Sequence, residues 1–277
     1  MRILLENGSG RHPAARVDAL AALRGVSLQV ASGEHVAVIG PSGAGKTTLL
    51  HLLACALKPA QGTLQLDGRN PWEFSRRELQ RLRGRLFLAP QVPPLPPRQR
   101  VVTTVLAARL PQESLWSSVR SLFYPTDIAL AERALAHFDV HDKLFERVDR
   151  LSGGERQRVG LARALAAQAS LFLVDEPLSS LDPARAQQAI ESLTLAAHER
   201  GATLVATLHH VEMALRHFPR IVGLREGELA FDLPAAQVTP QLLHQLYEQH
   251  LDELSGAAPV PLPDAPGSTA PVVMHCR

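Results

Sequence analysis

Short runs of uninterrupted apolar residues punctuate this chain, and turns or longer mixed segments follow them. Val36-Ala37-Val38-Ile39 is the first such run. It ends in a Gly-rich turn, and Thr47–Leu57 then reads as a helix opening on that turn. Ser170–Val174, rich in β-formers, and Thr203–Thr207 read as two further strands. Apolar runs of this length, without alternation, fit strands buried on both faces. Pro183–Arg200 reads as a helix whose proline lies in the first turn, where a missing N–H costs nothing. Strands alternating with helices predict an α/β fold with a mostly parallel sheet core covered by helices.

Other stretches predict additions to that core. Leu28–Val30, Gly33-Glu34 and Leu64–Gly68 read as antiparallel strands with turns, and Ile221–Phe231, with Glu226-Gly227 inside it, reads as a hairpin. The middle, from about Arg98 to Arg150, is helical in character. Leu251–Leu254 reads as a last helical turn. Beyond it, Ser255–Arg277 carries five prolines and almost no periodic apolar pattern, which predicts a disordered tail.

Composition narrows the class. The 277 residues are 45% hydrophobic and 20% charged, enough apolar material for a core. The net charge of +2 demands no nucleic-acid partner. No uncharged apolar run approaches the roughly 18 to 20 residues needed to span a bilayer. The first ten residues lack an apolar signal-peptide core. Two distant cysteines, Cys55 and Cys276, do not make a disulfide framework. The reading is a globular, cytosolic chain.

Three short segments carry chemistry. Gly40-Pro41-Ser42-Gly43-Ala44-Gly45-Lys46-Thr47 fits G-x-x-x-x-G-K-[ST] at every position, between a strand and a helix. The glycines let backbone N–H groups curl toward phosphate oxygens, and the helix N-terminus adds its partial positive charge. Lys46 supplies a point charge, Thr47 a hydroxyl for Mg²⁺, and Thr48 continues the loop into its helix. Leu171–Glu176 is an apolar strand ending in two carboxylates at the sheet edge where ligands bind. Asp175 suits Mg²⁺, and Glu176 suits a general base for water. Leu151-Ser152-Gly153-Gly154-Glu155 precedes a helical run and reads as a second anion-binding start, since two glycines are poor for a simple cap.

These segments resemble the ATP-binding subunit of an ABC transporter. The Walker A loop (Gly40 to Thr47), the signature (Leu151 to Glu155) and the Walker B strand (Leu171 to Glu176) follow the family's order. Ser180-Leu181-Asp182 resembles the D-loop, Gln91 the Q-loop glutamine and His209 the switch histidine. The resemblance runs from about residue 2 to 252, with a helical subdomain at about 92–160. Leu95–Leu110, Trp116, Leu122-Phe123, Asp127, Ala131, Leu208-His209, Ile221–Asp232, Thr239 and Leu246-Tyr247 are similar to phosphonate-import ATP-binding proteins.

The resemblance implies a P-loop NTPase of the ABC ATPase kind, with an antiparallel β subregion. It implies two ATP-binding subunits meeting head to tail, each ATP lying between one Walker A loop and the other subunit's Ser152, Gly153 and Gly154. Glu176, His209 and Gln91 are then catalytic, Mg²⁺ is held by Thr47, Gln91 and Asp175, and Asp182 lies at the dimer interface. Transmembrane permease subunits and a periplasmic phosphonate-binding protein are the implied partners, and the cytoplasmic face of the inner membrane the implied location. An ABC ATPase for another small solute, for a non-transport task, or a regulatory subunit with lost catalysis are the alternatives. Intact Lys46, Asp175, Glu176 and His209 speak against the last. Two departures stand out. No Phe, Tyr or Trp occurs from Met1 to Thr48 to stack on adenine, which leaves His12 near that place. Pro90, Pro93, Pro94, Pro96 and Pro97 surround Gln91 and restrict its loop. Trp72, Trp116 and Cys55 read as packing residues.

Overall fold

The computed structural model describes residues 1–11, 21–112 and 127–248. Along them run β1 (Ile3–Gly10), β2 (Leu23–Val30), β3 (His35–Ile39), α1 (Lys46–Leu53), β4 (Gln61–Leu66), α2 (Arg76–Gly84), β5 (Leu86–Ala89), α3 (Val101–Leu106) and α4 (Ile128–Ala136). There follow α5 (Gly153–Ala166), β6 (Leu171–Asp175), α6 (Pro183–Glu199), β7 (Thr203–Thr207), α7 (Val211–His217), β8 (Arg220–Arg225), β9 (Glu228–Pro234) and α8 (Pro240–Leu246).

The strands form two sheets. One is antiparallel, in the order β2-β1-β4, and the other runs β5-β6-β7-β3-β8-β9, parallel except for β9. Alternate residues of the parallel strands serve opposite cores. Ala37 and Ile39 of β3 join Phe172 and Val174 of β6 beneath the apolar faces of α3 to α7. Val36, Val38, Leu171 and Leu173 face the other way, into a core shared with α1 and the antiparallel sheet. Burial of both faces is why these strands read as continuous apolar runs. Each fully buried Ile, Leu or Val among them contributes about 1.5–3 kcal/mol.

The expected strands at 36–39, 170–174 and 203–207, the helix from Pro183 and the hairpin around Glu226-Gly227 all lie where the pattern put them. Two expectations need correction. Helix α1 stops at Leu53, not Leu57, because Cys55 turns into the left-handed region (φ 54) and the Ala56 and Leu57 N–H groups both fold back onto His51 O. Gly33-Glu34 is not strand but the turn from β2 to β3, with Gly33 at φ 79. The segments around residues 28 and 64 are antiparallel strands as expected, each paired to β1, which lies between them. Trp72 and Cys55 pack in the core beside α1. His12, Trp116, Leu122, Phe123, the turn at 251–254 and the tail lie outside the described residues. Among the described residues, no helix is long and apolar enough to cross a membrane.

Candidate active site

Strands β3, β6 and β7 run parallel, so their C-terminal ends deliver three loops to one edge of the sheet. The loop after β3 begins at Gly40, whose φ is 151. A Cβ there would lie 2.1 Å from Leu224 O, and one at Gly45 (φ 98) would lie 2.4 Å from Ala22 O. Only glycine fits either place. A Cβ on Gly43 would meet nothing within 4 Å, so the crest of the loop faces open space. Helix α1 starts at Lys46 with no side-chain cap, and its positive end is turned to the loop. Lys46 is buried, and its Nζ donates to Gly40 O at 2.8 Å and Pro41 O at 3.2 Å. Thr47 is half-buried and Thr48 buried, so Thr47 is the more accessible hydroxyl. The hairpin turn braces the loop from outside, because Gly227 N–H donates to Ala44 O.

The end of β6 and the residue after it carry the two carboxylates. Asp175 is buried at the strand's end. Its Oδ1 accepts from Thr207 Oγ1 at 2.6 Å, and the same Thr207 oxygen accepts the Glu176 N–H at 2.9 Å. Glu176 has φ 45, an uncommon conformation for a side-chain-bearing residue, and this hydrogen bond holds it there. His209, two residues past β7, places Nε2 2.5 Å from Glu176 Oε1. His210 instead occupies the N-cap position of α7. Burial alone would raise the Glu176 carboxyl, but the His209 hydrogen bond and the charges of His209 and Lys46 outweigh it and hold it below its ordinary value. Glu176 is thus an ionised carboxylate near the phosphate loop. The glycine loop with Lys46 fits a nucleotide's phosphates. The oxygen donors of Thr47 and Asp175 fit Mg²⁺, which takes few protein ligands and shares the rest with phosphates and water.

Residues 23–179, more than half the chain, match the family described as ABC transporter. The chain belongs to the ABC transporter family. It is 73% identical over all 277 residues, and over the whole of the relative, to the phosphonates import ATP-binding protein PhnC 2 of Albidiferax ferrireducens. It is 71% identical, again over both full lengths, to phosphonates import ATP-binding protein PhnC of a Polaromonas species. Among solved structures, it superposes with a TM-score of 0.71 on the dimeric structure of a post-hydrolysis state of an ATP-binding cassette bound to ADP and Pi. That pair is 26% identical, covering 84% of this chain and 98% of the other.

The other residues singled out from the sequence lie on other segments of the chain. Gln91 is exposed, two residues beyond β5, whose Ala89 pairs with Val174. Pro93 lies against α5, where a Cβ on Gly160 would come within 2.5 Å of it. Ser152 and Gly153 are exposed, and Leu151 is buried behind them. Contrary to expectation, Ser152 is a proper N-cap: its side chain accepts the Glu155 N–H while the Glu155 carboxylate accepts the Ser152 N–H. The reciprocal bonds of this capping box offset the low helix propensity of Gly153 and Gly154. Gly154 lies close to Ser180 O and the Leu181 side chain, so the signature and the D-loop share one surface. Asp182 caps α6 by accepting the Arg185 N–H. Thr207 is a site residue that the sequence reading missed. Its only signal was a hydroxyl ending an otherwise apolar strand.

Proposed function

We propose that this ABC transporter family member is the ATP-hydrolysing subunit of an importer that carries phosphonates across the inner membrane. The observation that carries the reading is Glu176: an ionised, half-enclosed carboxylate, paired with His209, beside a phosphate-binding loop. The high identity to phosphonates import ATP-binding proteins supports the cargo.

In this reading the loop from Gly40 to Thr48 cradles the ATP phosphates, with Lys46 moving from the Gly40 and Pro41 carbonyls to their charge. Thr47, Asp175 and Gln91 would hold Mg²⁺, which would supply charge neutralisation to the phosphates. Glu176 orients a water and accepts its proton as the water's oxygen attacks the γ-phosphorus, yielding ADP and phosphate. His209 fixes the Glu176 carboxylate and reaches the γ-phosphate. Two copies meet head to tail, and the exposed Ser152 and Gly153, with Gly154, of one read the γ-phosphate held by the other. That a cassette of the same fold is dimeric when bound to ADP and Pi supports the pairing of two copies. Asp182, beside the signature, lies at the same interface. Gln91 and the helical stretch at about 92–160 meet the permease, which a periplasmic phosphonate-binding protein supplies with cargo. The subunit then sits peripherally on the cytoplasmic face. Deleting the gene should abolish growth on a phosphonate as sole phosphorus source and leave growth on phosphate intact. Unimpaired growth on phosphonates would contradict the cargo.

A further inference from the structure

Helix α8 ends against the start of the phosphate loop. Tyr247, the residue that closes α8, is 1% exposed, and its hydroxyl accepts the buried Gly40 N–H at 3.1 Å. The contact joins positions 207 residues apart in sequence. It acts on a peptide with little freedom, since Gly40 is pressed against Leu224 O and its own carbonyl accepts from Lys46. The end of α8 is itself fastened. Arg225 Nη1 donates to Gln245 O at 2.6 Å and lies 3.4 Å from Glu248, and Leu246 lines a pocket with Pro41, Ser42, Gly43 and Ala44.

We propose that Tyr247 is a positioning residue for ATP binding: its hydroxyl fixes the first peptide of the phosphate loop in the shape that receives the phosphates. The inference rests on the reading that Gly40 to Thr48 binds ATP. In that reading Lys46 leaves the Gly40 carbonyl when it serves the phosphates. The Tyr247 hydroxyl, which accepts the Gly40 N–H rather than bonding its carbonyl, then keeps the Gly40 peptide in place. A buried N–H stripped of its acceptor would drive the loop toward other conformations, and binding would first have to restore the right one.

The test compares the full-length wild type with Tyr247→Phe, which keeps the ring in the core and removes only the hydroxyl, and with Lys46→Ala. ATP affinity is measured by calorimetry and turnover by phosphate release with Mg²⁺, well below the unfolding midpoints. Tyr247→Phe should weaken ATP binding and raise KM about three- to tenfold, the worth of one neutral hydrogen bond, with kcat at saturation within about twofold. A merely structural tyrosine would instead lower the folded fraction and hence kcat, at unchanged KM. That result, or equal affinity in a folded Tyr247→Phe, overturns the inference while leaving the ATPase reading standing. Equal ATP affinity in Lys46→Ala and wild type would overturn the phosphate-loop reading and this inference with it.

Discussion

Thr207 Oγ1 donates to Asp175 Oδ1 at 2.6 Å where β6 and β7 pair in register, and Thr207 is also the register partner of Val38 on β3. One hydroxyl therefore sits between the strand that launches the phosphate loop and the strand that ends at the two carboxylates. Since the same oxygen takes the Glu176 N–H, it sets the direction of Asp175 and the backbone of Glu176 together.

Thr207→Val keeps the shape and removes the hydroxyl. One buried and one part-buried hydrogen bond are lost, which should cost stability about 1–3 kcal/mol. With Glu176 no longer anchored at φ 45, kcat should fall tenfold or more while ATP affinity changes less than about threefold. Thr207→Ser should recover most of the rate. Steady-state kinetics of the two variants check this, and an unchanged kcat in Thr207→Val would remove Thr207 from the site.

The Glu176–His209 pair should leave a mark on acid stability. The folded carboxyl lies below its ordinary value of 4.5, so the native state binds this proton less tightly than the unfolded chain. Its contribution is present above about pH 4.5 and is lost as the pH falls through the lower, folded value. Compared with Glu176→Gln, wild-type stability should therefore worsen as the pH drops across that window. Thermal melts at stepped pH measure the difference. A difference that stays flat with pH, or moves in the wild type's favour, would contradict the pairing.

Gly160 offers a test of how the proline-rich segment meets α5. Glycine to alanine inside an ordinary helix stabilises it by about 1 kcal/mol. Here the added methyl would lie 2.5 Å from Pro93 Cγ and 2.8 Å from its Cβ. Overpacking of this kind costs about 1–3 kcal/mol, so Gly160→Ala should destabilise. Denaturant unfolding reads the sign directly, and a gain in stability would mean that Pro93 does not rest on this helix.

The sequence was most legible where chemistry is contiguous. The phosphate loop can be read because strand, glycines, lysine and helix follow one another in a single stretch. Strands β3, β6 and β7 were visible because both of their faces are buried. Strand β1 was not visible, because Ile3–Gly10 mixes apolar, acidic and glycine positions and acquires its meaning only between β2 and β4. Contacts across the fold were equally hidden. Thr207 meets Asp175 32 residues away, and Tyr247 meets Gly40 across most of the chain. Neither pairing has a local pattern, since both follow from strand order and helix docking. Ser152 misled for the opposite reason. Its two following glycines argued against a simple cap at this helix start, but Glu155 three residues on completes the capping box.

The central claim is that Glu176, oriented by His209 and Thr207, activates the water that cleaves ATP. ATP turnover by wild type and Glu176→Gln, assembled with the permease, tests it most directly. The variant should bind ATP with affinity close to wild type and hydrolyse it at least 100-fold more slowly, the typical loss on removing a general base. Turnover by Glu176→Gln at the wild-type rate, or no turnover by the wild-type complex, would contradict the account.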